Sequence, residues 1–92
     1  AALGRLVRVT VIDEAFSGDS LEMVERWQEM LPFLVEVLQQ EKSMLRVDYI
    51  QPEIGKDLAF RRLEQLTENV QRIWESEGSP YSLEITTSVE TN

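Results

Sequence analysis

Pro32 decides how this chain can fold, because apolar residues lie on both sides of it and can be read in two ways. Inside a helix, a proline loses a backbone hydrogen bond and clashes with the preceding turn, at about 3 kcal/mol. At the start of a strand it is tolerated. If the helix that begins near Ser20 stops at Met30, then Phe33, Val35 and Val37 alternate with Leu34, Glu36 and Leu38 as a strand. Gln39 to Ser43 then forms a hairpin loop, and Met44 to Ile50 returns beside it. If the helix instead runs through Pro32 to Gln40, then Leu34, Val35 and Leu38 extend its apolar stripe. The strand reading is preferred, because Leu45-Arg46-Val47-Asp48-Tyr49 also alternates, as a return strand should.

The other segments read more directly. Arg5 to Ile12 alternates, with Val7, Val9 and Val11 opposite Leu6, Arg8, Thr10 and Ile12, which predicts a strand. Asp19 with Glu22 three residues later predicts a capping box at the start of the first helix, whose stripe is Leu21, Val24, Trp27 and Leu31. Asp57 to Glu77 carries Ala59, Leu63, Leu66, Val70 and Ile73 at helical spacing and ends at Gly78. Tyr81 to Val89 alternates again. The expected fold is therefore α+β: a ferredoxin-like β-α-β-β-α-β antiparallel sheet with two helices on one face. The alternative is β-α-β-α-β with a long first helix through Pro32. One domain spanning 1–92, whole or cut from a longer chain, is expected at this length.

Composition narrows the chemistry. There is no Cys and no His among the 92 residues, which removes zinc-finger, haem, thiol and Ser-His-Asp chemistry. Nine Lys and Arg against 17 Asp and Glu leave a net charge of −8. That argues against a nucleic-acid backbone or an anionic membrane as partner. No apolar run is long enough to span a bilayer. The lack of cysteine fits a reducing compartment, and a cytoplasmic location is expected. Asp13, Glu14 and Asp19 are oxygen donors without regular metal-site spacing, so neither metal nor cofactor is expected. No nucleophile, phosphate loop or paired acid stands out, and the reading favours a non-enzymatic domain.

Three surfaces remain as candidates. On the open face of the expected sheet, Leu6, Ile12, Leu34, Leu38, Met44 and Ile50 form an apolar patch of the kind that marks an interface. The main expectation is a regulatory or interaction domain that pairs this face with a second copy. Arg8 and Arg46 lie on the same face, where they either hold an anion between paired sheets or pair with neighbouring acids. Residues 13–41 hold eight acids and one base. Within that run Glu22, Glu25 and Glu29 form an acidic strip on the first helix, suited to steering a basic protein partner.

Overall fold

The computed structural model describes residues 4–91. It contains β1 (Arg5–Val11), α1 (Glu25–Gln40), β2 (Ser43–Ile50), α2 (Lys56–Ser76) and β3 (Glu84–Glu90), with a short 3-10 turn at Asp13–Ala15. The three strands make one sheet in the order β1-β2-β3, and both neighbouring pairs are parallel. Each helix is the crossover between adjacent parallel strands. Two right-handed crossovers stepping the same way across a sheet place both helices on one face, and α1 packs against α2 there.

The antiparallel ferredoxin-like arrangement is thus overturned, and the β-α-β-α-β order holds instead. Phe33 to Leu38 is helix, and the helix runs through Pro32. Leu31, Val35 and Leu38 are buried along one side of it, while Pro32 lies on its exposed side. Burying three large side chains at roughly 1.5–3 kcal/mol each outweighs the roughly 3 kcal/mol local cost of the proline. The predicted capping box also fails. Val24, not Asp19, precedes α1, and residues 17–23 turn back on themselves through a bridge between Phe16 and Met23.

The core fills the space between sheet and helices. Val11, Leu45, Val47 and Tyr49 meet Leu31, Val35 and Leu38 of α1 and Ala59, Leu63, Leu66, Val70 and Trp74 of α2. Tyr81, just before β3, locks three segments together. Its ring meets Trp74 edge-on, and its hydroxyl donates to Leu38 O and accepts the Ser43 N–H. The opposite face of the sheet carries no helix among the described residues.

Candidate functional site

Parallel sheets are usually covered on both faces, so the bare face of this one is the first place to look. The register sets its side chains in rows across the strands: Leu6–Met44–Glu84, then Arg8–Arg46–Thr86, then Thr10–Asp48–Ser88, and at the far end Ile50–Glu90 with Ile12 beside them. Apolar groups therefore stand at both ends and a polar cluster lies between. Leu6 is 53% exposed, and Ile12 and Met44 are exposed as well.

Asp48 is the hub of that cluster. It accepts from Arg8 (3.1 Å), from Arg46 (2.9 Å) and from the Ser88 hydroxyl. The Ser88 bond is the largest influence on its acidity. Burial opposes it, and the two arginines add to it, so the carboxyl is lowered to about 2. The two arginines that could grip an anion are thus joined to an acid of their own sheet, with outward parts of both guanidiniums still exposed.

Leu34 and Leu38 do not belong to this face. Both lie on α1, on the other side of the sheet, and Leu38 is fully buried. Of the six residues expected on the open face, the structure brings Leu6, Ile12, Met44 and Ile50 together there. The acidic strip is also redrawn. Glu22 lies in the loop before α1, whereas Glu25 and Glu29 share the exposed side of α1 with Glu36.

Ligands of parallel sheets commonly sit beyond the C-terminal ends of the strands. That end is filled here. Arg62 of α2 is fully buried, donates to Gly18 O (2.7 Å), Ser20 O (2.9 Å) and the Tyr49 hydroxyl (2.9 Å), and lies over the Phe16 ring. The Tyr49 hydroxyl in turn donates to Asp13, whose other oxygen accepts the Glu53 N–H (2.9 Å). Burial, then the bond to Asp13, push the Tyr49 phenol up to about 12, against the opposing pull of Arg62. These groups answer one another and fasten the β1–α1 loop to the body. Outside them is a hollow of about 230 Å³ lined by Ile12, Asp13, Glu14, Ile50, Gln51 and Glu53. Among the described residues, no group of acids converges closely enough to hold a metal ion.

Two features were not read from the sequence. Arg62 falls on the apolar stripe of α2, between Ala59 and Leu66, and a charge in such a place signals a buried partner. Met30, Phe33 and Val37 form an exposed apolar row on α1. The three- and four-residue spacing is its signal, and a strand reading of Phe33 to Leu38 hides it. Among the described residues, no helix is long and apolar enough to cross a membrane. Comparison of the chain with protein-family models, with curated proteins and with solved structures finds no match, so the reading of these surfaces rests on their own geometry.

Proposed function

We propose that the chain is a non-enzymatic interaction domain that pairs the bare face of its sheet with the same face of a second copy. The observation that carries this reading is the order of the rows. Turn a second copy end over end, about an axis running across the strands between Arg46 and Asp48. Leu6 and Met44 then lie over Ile12 and Ile50 of the other copy, and Arg8 and Arg46 over Thr10 and Asp48. Apolar meets apolar on β1 and β2 and Arg46 meets Asp48, as a two-fold contact favours, while on β3 Glu84 is set over Glu90 of the other copy, a like-charge contact at the rim that weakens the pairing. The face also carries little of the chain's charge. Arg8 and Arg46 against Asp48, Glu84 and Glu90 leave −1, within a total of −8.

The footprint limits the affinity. Three strands of this length cover about 14 Å by about 23 Å, on the order of 320 Å² per copy, against roughly 800 Å² in a standard interface. Association through this face is therefore weak and concentration-dependent.

Sedimentation of the protein over a concentration series, at low and high salt, tests the reading. The expected result is an association step that persists in high salt and is removed by Met44→Lys. That substitution suits the monomer, because Met44 stands beside Glu84, but sets a charge against Ile12 and Ile50 of the other copy. If Met44→Lys leaves every association step in place, the face is not the interface. Association that collapses with salt would mean a contact made by charges and would overturn the apolar face as the interface.

A further inference from the structure

We infer that the free edge of β1, together with the outer flank of α1, is a second interaction surface, built to take β1 and α1 of another copy in antiparallel fashion. Eight large apolar side chains are exposed among the described residues. Three lie on the bare sheet face. Three more, Met30, Phe33 and Val37, lie in one row on α1, and Phe33 is 67% exposed.

That row overhangs the β1 edge. On the α2 side of α1, Gln28 lines a cleft shared with Gln65 and Arg72, and Gln39 donates to Glu77 O just past α2. Met30 is two residues on from Gln28, and Val37 two residues back from Gln39. Two residues turn about 200° around a helix, so both face away from α2. On that side Arg5 of β1 donates to Val37 O (2.7 Å).

The two sheet edges are treated differently. β3 has Glu84 and Glu90 at its ends, and beside its Ile85 and Thr87 the helix layer presents Thr67, Glu68 and Gln71. Charge and polarity at an edge prevent further strands from joining. β1 has no proline, and its two charges are turned onto their own chain, Arg5 to Val37 O and Glu41 and Arg8 to Asp48, beside a helix flank that carries Met30, Phe33 and Val37. The Arg5 N–H donates to Lys42 O (2.9 Å). Because neighbouring residues of a strand turn their amides to opposite sides, Leu6, Arg8 and Thr10 present theirs at the free edge.

A single two-fold satisfies both layers. The Tyr81 hydroxyl, which joins Leu38 O to the N–H of Ser43 in register with Arg5, sets their relative level, and the Arg5 side chain on Val37 O agrees with it. The midpoint between Phe33 and Leu34 lies about 5 Å along the helix from Val37, which is about one and a half residues along the strand. It is therefore level with Leu6–Val7. An axis normal to the sheet at Val7 pairs Val7 with its own copy, Leu6 with Arg8, and Arg5 with Val9, so no arginine faces an arginine. The same axis sets Met30 beside Val37 of the other α1, and Arg26 beside Glu41, an exposed acid that Arg5 of its own chain approaches at 3.8 Å. Charge complementarity and apolar self-matching thus select a second copy as the occupant.

The inference adds to the face-pairing reading without depending on it, and four proteins separate the two. Wild type, Met44→Lys, Phe33→Glu and the double variant are compared by light scattering at matched concentrations, with circular dichroism confirming the fold. Met44→Lys is expected to remain a dimer, and the double variant to run as a monomer of 10.7 kDa. In the Met44→Lys background, Arg26→Glu is expected to weaken dimerisation at least tenfold, and an unchanged dimer would overturn this register. A monomeric Met44→Lys protein beside a dimeric Phe33→Glu protein would overturn the edge and leave the face standing. The reverse pattern would overturn the face and support the edge. A monomeric wild type at every concentration would overturn both.

Discussion

A carboxylate on the solvent side of a sheet is ordinarily an exposed group, yet Asp48 is buried there by the side chains it holds. It joins all three strands, since Arg8 comes from β1, Arg46 from β2 and Ser88 from β3. Its carboxyl is lowered from an ordinary 3.8 to about 2, so the charged form stabilises the fold. That contribution is complete above about pH 4 and fades as the pH falls toward 2. A shift of this size is worth about 2 kcal/mol at most, and water in front of the open face screens it to less. Asp48→Asn is therefore expected to lower stability at neutral pH by about 1–2 kcal/mol. Its unfolding free energy should also vary less than that of the wild type between pH 4 and pH 2. Urea titrations across that range check both, and parallel pH curves for the two proteins would refute the assignment. Arg62 is the inner counterpart of Asp48. Its guanidinium catches the carbonyls of Gly18 and Ser20, so the segment around Asp19 is held as a loop where its capping signal suggested a helix. The signal was local and legible. The residue that overrode it lies more than forty positions away.

At the scale of elements, α1 shows why patterns mislead. β1, β2 and α2 were legible because each satisfies one periodicity and no other. The segment from Phe33 to Leu38 satisfies two, and Pro32 tipped the local balance toward a strand. Burial of Leu31, Val35 and Leu38 tipped it back, and that term is invisible until the sheet exists. Pro32 is exposed, so replacing it removes the backbone cost and no packing. Pro32→Ala is expected to stabilise the protein by roughly 1–3 kcal/mol, read as a higher urea midpoint with an unchanged slope. A lowered midpoint would mean that the ring makes a contact the helix needs. The same ambiguity governed the candidate surfaces. Leu6, Ile12, Met44 and Ile50 were placed correctly on the open face because strand alternation alone fixes their side. Leu34 and Leu38 were misplaced with the helix, and the Met30–Phe33–Val37 row was missed with it.

At the scale of the whole molecule, strand direction was the part that local patterns could not carry. Alternating residues look alike in parallel and antiparallel sheets, and direction is decided by what connects the strands. Once α1 is a helix, its roughly 24 Å of length returns the chain to the start of the sheet, and β2 must run parallel to β1. One misread helix therefore changed the topology, while the two-layer arrangement of sheet and helices survived the error.

The two crossovers also dictate how the chain must fold. Arg5 and Ser43, neighbours in the sheet, are 38 residues apart, and Asp48 and Ser88 are 40 apart. No strand can pair through a hairpin, so every strand contact closes a long loop before it gains anything. Helices form faster than such closures. Amides of α2 are therefore expected to become protected ahead of every strand during refolding, with β1, β2 and β3 gaining protection together. Pulse-labelled hydrogen exchange would show this order, and early protection confined to any strand would contradict it. Until that late step β1 is open to pairing with any other chain in solution. The surface inferred to join two folded copies is thus also where crowded refolding would first go astray.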